Sequence, residues 1–265
     1  MGISMNQRER RIGLIKALLD EKASYKGMDI PGEEGEQKRL LRSLMNVRMP
    51  KPISDDFLKL QDEYLEKELE KKHVTTLDEL EELQPGIYVW QGDITTLKVG
   101  AVVNAANSGM TGCYQPCHAC IDNCIHTYAG IQLRLKCAEL MEKQGHEEPT
   151  GQAKITPAYN LPCDYVLHTV GPIIYDKVRK EDEELLASCY ENCMRVAEEN
   201  GVESIAFCCI STGVFRFPND RAAKIAVDTV KECMKKYQGI KNVVFNVFKD
   251  VDLNLYRMEL DGRFC

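Results

Sequence analysis

Apolar positions in the first third of the chain recur at helical spacing. Ile12, Leu14, Ile15, Leu18 and Leu19 share one face of a helix over residues 6–22. Similar faces run through residues 36–48 and 54–72, the last opened by Ser54-Asp55-Asp56, a good N-capping sequence. Pro31-Gly32 and Met49-Pro50-Lys51-Pro52 interrupt the pattern between them. The spacing predicts a helical extension over residues 1–84. It holds no catalytic constellation, and the charge run Glu63 to Lys72 reads as a solvated helix face.

After Pro85-Gly86 the texture changes to short apolar runs alternating with helical patterns. Ile87–Trp90, Val99–Val103, Tyr165–Thr169, Ile205–Ile210 and Val243–Phe248 read as buried strands, and 130–144, 181–200, 219–237 and 251–260 as helices. That alternation predicts an α/β domain over residues 85–265, with a mostly parallel sheet covered on both faces. Ligands of such sheets bind at the carboxyl ends of the strands, so the loops after these runs hold the candidate chemistry.

Composition narrows the function classes. The 265 residues are 44% hydrophobic and 28% charged, which is ordinary globular composition. No apolar run approaches the roughly 20 residues of a spanning helix. The polar, basic start and the Asn at position 6 give no export or lipid-anchor signal, so no membrane partner is expected. The net charge of −7, with no basic excess in residues 1–84, argues against duplex nucleic acid as a partner. None of the 12 cysteines precedes residue 113, and Cys113, Cys117, Cys120 and Cys124 crowd together. That suits a local metal or redox site in a reducing cytoplasm better than a disulfide framework. Cys189, Cys193, Cys208, Cys209 and Cys233 read as small buried hydrophobes.

Four loops fall at the strand ends: Gln91-Gly92-Asp93-Ile94-Thr95, Asn104-Ala105-Ala106-Asn107-Ser108, Ser211 to Pro218, and Phe248-Lys249-Asp250. Asp93 can accept from an exocyclic amine, Asn107 can donate to and accept from a ribose diol, Gly213 allows backbone N–H groups close to a pyrophosphate, and Phe248 can stack on a purine. Taken singly, each reads more readily as a turn or core residue. Together with His168-Thr169-Val170-Gly171-Pro172, the series Gly-Asp-Ile-Thr, Val-Asn-Ala-Ala-Asn-Ser and Ile-Ser-Thr-Gly-Val-Phe resembles the macrodomain family over about residues 85–262. Asp122 to Gly130 is similar to the helix start that comes after the ribose loop in MacroD-type members.

The resemblance implies the macrodomain fold, three-layer α/β/α with a mixed, mostly parallel sheet, and ADP-ribose as ligand. It implies Asp93 and Ile94 at adenine, Phe248 on its face, Asn107 at the distal ribose, and Ser211, Thr212, Gly213, Val214 and Phe215 at the diphosphate. Asn104, Ile121 and Asp122 complete the expected ligand set. Asp122 and Asn107 would carry catalysis, Asp122 accepting a proton from water and Asn107 orienting the ribose. On the residues alone, Asp122 reads first as a helix N-cap.

The glycine run usual in MacroD-type chains is replaced by Gly112-Cys113-Tyr114-Gln115-Pro116-Cys117-His118-Ala119-Cys120. Cys-x4-His-x-Cys supplies two thiolates and an imidazole, a set suited to Zn²⁺. Cys113, His118 and Cys120 are the expected ligands, with Cys117, Cys124 and His126 as alternatives. Three ligands leave a position open, whereas four would close the site into a structural one. The loop and the helical extension are similar to zinc-dependent bacterial macrodomains linked to a sirtuin-type transferase. That resemblance implies hydrolysis of ADP-ribose from modified protein side chains, acyl-linked on Asp or Glu, with a lipoyl-carrier protein as the substrate. A non-catalytic ADP-ribose reader with structural zinc and an O-acetyl-ADP-ribose deacetylase are the other readings.

Overall fold

The computed structural model describes residues 5–262. Helix α1 (Gln7–Asp20) opens with a capping box in which Asn6 and Glu9 each accept from the other's backbone N–H, and it is succeeded by α2 (Glu34–Val47) and α3 (Asp55–Leu69). Their apolar faces meet in a cluster that includes Leu14, Ile15, Leu18, Leu41, Leu44 and Phe57, and that takes in Ile131 from the α/β domain. The extension therefore shares its core with the α/β domain. Arg134 strengthens the join, because its Nη1 donates to the carbonyls of Met45, Asn46 and Arg48 at the end of α2.

The remaining elements are β1 (Thr75–Thr76), β2 (Glu82–Gln84), β3 (Ile87–Gln91), β4 (Leu97–Lys98), β5 (Ala101–Ala105), α4 (Ile121–Ala129), α5 (Ile131–Gln144), β6 (Ala153–Pro157), β7 (Tyr165–Thr169), α6 (Lys180–Glu199), β8 (Ser204–Phe207), α7 (Asn219–Lys236), β9 (Asn242–Val247) and α8 (Asp250–Asp261). Strands β1 and β4 form a small parallel pair, and the main sheet has seven strands in the order β2-β3-β9-β8-β5-β7-β6. Its inner pairings are parallel, while β2 on β3 and β6 on β7 are antiparallel. Helices flank it: α4 packs on β5, α5 on β6, α6 on β6 and β7, and α8 on β3 and β9.

The five expected strands are the five parallel ones, whose buried positions are mostly apolar. The two edge strands carry a weaker signal. β6 reads Ala-Lys-Ile-Thr-Pro, half-buried and closed by a proline of the kind an edge tolerates. β2 lies before residue 85, so the chain joins the sheet earlier than expected and the helical part ends at Leu69. No described helix is long and apolar enough to cross a membrane. Because β3, β5, β7, β8 and β9 run parallel, their carboxyl ends and the loops that leave them gather at one edge.

Candidate active site

A cleft of about 500 Å³ opens at that edge. Asn107 reaches it from the loop after β5, Cys113, His118 and Cys120 from the next loop, Ile121 and Asp122 from the start of α4, and Ser211, Gly213, Val214 and Phe215 from the loop after β8. These contributions are far apart in sequence and meet because the sheet places its strand ends together.

Asp122 does not cap α4. The N-cap is Cys120, whose sulfur accepts the Asn123 N–H at 3.4 Å, leaving Asp122 one residue inside the helix. There its carboxylate benefits from the positive end of the helix dipole and turns to the cleft floor. Oδ1 accepts from Asn104 Nδ2 at 2.8 Å, and Oδ2 from Asn107 Nδ2 at 3.3 Å. Burial nevertheless pushes the acid up to about 6, against the lowering influence of Asn104, Arg134 and Asn107. Asn104, expected to touch ligand, is instead fully buried: its amide serves Asp122 and, at 3.2 Å, His168 Nδ1. It is a positioning residue.

The loop after β8 carries left-handed residues at Ser211 (φ 65°) and Arg216 (φ 60°) and not at Gly213. Ser211 Oγ is buried without a partner, an orphan donor beside the cleft. Gly171 makes room for it, since a Cβ there would overlap Ser211 Oγ and crowd Ile210. Gly213 contributes open space, with nothing near the position its Cβ would take. Thr212 turns away, donating to the Cys209 carbonyl at 3.1 Å, and does not line the cleft.

At the β3 and β9 ends, Asp93 caps a short helical turn, Oδ1 accepting from the Thr95 N–H and hydroxyl at 3.0 and 2.6 Å. Its Oδ2 lies 3.5 Å from Lys72 Nζ. Ile94 is buried and reaches no cleft surface, contrary to expectation. Phe248 is 80% exposed on the adjoining loop, where its carbonyl accepts from Gln91 Nε2. Asp93 and Phe248 thus flank the cleft without lining it.

Cys113 Sγ, His118 Nδ1 and Cys120 Sγ lie within 4.8 Å of one another. A tetrahedral zinc with bonds of about 2.3 Å to sulfur and about 2.0 Å to nitrogen sets S and N about 3.6 Å apart, and Cys113 Sγ stands 3.6 Å from His118 Nδ1. Without a cation, burial pushes the Cys120 thiol up to about 12, against the Asn123 N–H that favours the thiolate; a metal would remove that proton outright. The donor set fits zinc. Hydrogen bonds from side chains also hold the loop: Asn123 Nδ2 donates to the Gln115 carbonyl, Arg134 Nε to the Thr111 carbonyl, Arg42 Nη2 to the His118 carbonyl, and Asn46 Oδ1 accepts the Cys117 N–H. Cys117 points away, its sulfur 3.2 Å from Ser43 Oγ, and Cys124 meets Arg42 at 3.6 Å.

A second trio, His126, Cys137 and His168, lies buried beneath Asp122. His168 Nδ1 receives Asn104 Nδ2, so its Nε2 bears the hydrogen shared with Thr156 Oγ1 at 2.9 Å. His168 therefore has no lone pair left for a metal. Burial holds the pKa of His126 well below its usual value, so the ring is neutral 3.6 Å from Asp122.

Gly171 and Cys209 line the cleft and were not expected there. Gly171 sits in the His-Thr-Val-Gly-Pro run, a signal that marks it without giving its purpose. Cys209, expected to be buried, is only partly so, unlike Cys189, Cys193, Cys208 and Cys233. Arg42, Asn46 and Arg134, which hold the Cys/His loop, give no local signal.

A family model described as Macro domain matches residues 103–226. A protein-ADP-ribose hydrolase of Treponema medium is 60% identical over 256 residues, covering 95% of this chain and 98% of that protein. One from Staphylococcus aureus (strain MSSA476) is 53% identical over 220 residues, 82% of each chain. Among solved structures, a mutant Oceanobacillus iheyensis macrodomain with ADPR aligns with a TM-score of 0.61 at 33% identity, covering 69% of this chain and 97% of that one. A Trypanosoma brucei macrodomain in complex with ADP-ribose aligns at 0.63 and 28% identity, covering 82% and 93%. Identity of that order over nearly the full length of both chains places this protein in the macrodomain family, with the protein-ADP-ribose hydrolases.

Proposed function

We propose that this chain removes ADP-ribose from acyl-linked carboxylate side chains of modified proteins, releasing free ADP-ribose, and that Cys113, His118 and Cys120 hold a zinc ion beside the reacting ribose. The observation that carries the reading is the Asp122 carboxylate, fixed by Asn104 and Asn107 on the floor of the cleft and adjoining the Cys/His loop. The Ser211 hydroxyl and the loop to Phe215 receive the diphosphate. Asn107 orients the distal ribose, and Asp93 with Phe248 receives adenine. A zinc ion held by Cys113, His118 and Cys120 would supply Lewis acidity at this end of the cleft.

Water attacks the anomeric carbon. Its oxygen bonds to that carbon, the bond to the side-chain carboxylate oxygen breaks, and the carboxylate leaves with the electron pair. Asp122 accepts the proton lost by the water. A carboxylate leaves readily and needs no general acid, which suits a site with one acid–base group. A structural role for zinc is disfavoured because four side chains from elsewhere already fix the loop. The lipoyl-carrier substrate, the sirtuin-type transferase that would modify it, and a cytoplasmic location belong to the same proposal.

The test is release of ADP-ribose from a protein modified on Asp or Glu, by zinc-loaded and metal-free chain. Asp122→Ala should lose turnover by about a hundredfold or more while holding ADP-ribose within about threefold, since a proton acceptor acts in the transition state. Tight binding with no release from any linkage would make the chain a reader. Release from O-acetyl-ADP-ribose alone would make it a small-ester deacetylase.

A further inference from the structure

A second concavity, of about 390 Å³, lies between α2, α3 and α4. Leu41, Met45 and Leu65 give it an apolar lining, and Lys38, Arg39, Arg42 and Lys72 supply its charge against one carboxylate, Glu68. This is a basic groove on a chain of net charge −7. The cations differ in how far they are neutralised. Lys38 sits at 3.1 Å from Glu34 and 2.9 Å from Glu68. Arg42 meets no carboxylate among the described residues: its Nη2 donates to the His118 carbonyl, Asn123 Oδ1 and the Cys124 sulfur. Arg39 is exposed, and its guanidinium has no hydrogen bond or ion pair among the described residues.

The groove and the cleft are separated by the Cys/His loop. Cys117 lines the groove, and His118, the next residue, lines the cleft. The left-handed turn at Cys117 (φ 52°) divides the loop between the two sides. A polypeptide whose modified side chain reaches His118 is one residue of this loop away from the groove.

We infer that the groove is a docking site for an acidic polypeptide segment flanking the modified residue of the substrate protein. The inference rests on the hydrolase reading above. Arg39 presents a planar donor fork suited to carboxylates, Arg42 adds positive charge from a guanidinium whose Nη2 is held by the loop, and the apolar lining accepts an aliphatic side chain beside them, as a polar rim around an apolar centre does at protein interfaces. Two uncompensated cations are too few for a nucleic-acid backbone, which binds through many phosphate contacts.

The experiment uses the full chain and Arg39→Glu, an exposed change away from the cleft, with Arg39→Lys as the conservative control and melting temperature as the check on folding. A short labelled peptide of glutamates around one leucine reports the groove directly by anisotropy. Steady-state hydrolysis of a protein modified within an acidic segment is compared with that of O-acetyl-ADP-ribose, which has the ester and no polypeptide. Arg39→Glu should weaken peptide binding and raise KM for the modified protein, each by about tenfold, with kcat unchanged and both constants for the small ester unchanged. Arg39→Lys should retain most of the binding. Equal peptide affinity in Arg39→Glu, equal loss on both substrates, or an oligonucleotide that displaces the peptide at lower concentration would overturn the inference. Peptide binding that depends on Arg39 in a chain that hydrolyses neither substrate would support the groove while removing the hydrolase reading.

Discussion

Asn104 donates to the Asp122 carboxylate at 2.8 Å from a position with no exposed surface of its own. An amide so placed cannot recognise a ligand, yet it fixes where the carboxylate points. Asn104→Leu should cost about 1–3 kcal/mol of stability, since a buried acceptor loses its donor. Turnover should fall by about ten- to a hundredfold with ADP-ribose affinity within about twofold, because misplacing a catalytic group costs rate more than binding. Denaturant titration, calorimetry and ADP-ribose release together read it. A loss of affinity as large as the loss of turnover would put Asn104 back among the ligand contacts.

The orientation of the ligand along the cleft makes a separate prediction. Asp93→Asn keeps an oxygen for the Thr95 N–H and removes the charge facing Lys72. Adenosine binding should weaken in Asp93→Asn and be nearly untouched in Asn107→Ala, while both weaken ADP-ribose. Calorimetry with the two ligands decides it, and equal losses of adenosine in both variants would reverse the placement of adenine and distal ribose.

Residues that act near their own neighbours in sequence were legible. Asn107, Asp122, Ser211 and the Cys113/His118/Cys120 set each sit in short runs whose chemistry reads locally, and the cleft brings them together. What escaped depends on long-range packing. Arg134 and Asn46 look like ordinary helix residues until the extension docks and turns them to loop carbonyls and amides 23 and 71 positions distant. The left-handed turn at Ser211 was likewise hidden, because a glycine two residues later was the better local candidate. Edge strands β2 and β6 lacked the continuous apolar run that revealed the five parallel strands.

Gly171 faces the Ser211 hydroxyl so closely that even a methyl group has no room. Gly171→Ala should therefore displace the Ser211 loop, destabilising the protein by about 1–3 kcal/mol through overpacking. It should also weaken ADP-ribose and ADP more than adenosine, since the loop is assigned to the diphosphate. Ser211→Ala is the companion variant. It removes a buried hydroxyl that has no partner among the described residues, so it should leave stability unchanged or slightly raised while weakening ADP. Unaltered ADP affinity in both variants would detach this loop from the diphosphate.

The Cys/His loop gives the sharpest separation of catalytic from structural metal. Cys120 both caps α4 and belongs to the proposed ligand set. Serine is itself a favoured N-cap, so Cys120→Ser preserves the helix start and removes only the thiolate. Cys113→Ser, His118→Ala and Cys120→Ser should each lower zinc content below one per chain and abolish release of ADP-ribose. Melting temperature should change little, because Arg42, Asn46, Asn123 and Arg134 hold the loop independently. Cys117→Ser should retain both metal and turnover, its sulfur being turned towards Ser43. Elemental analysis, thermal melts and the release assay, run on the same preparations, distinguish the cases. Unfolding on metal loss would make the zinc structural, and full activity in chain verified to be zinc-free would take the metal out of the reaction, leaving Asp122 and Asn107 to carry it.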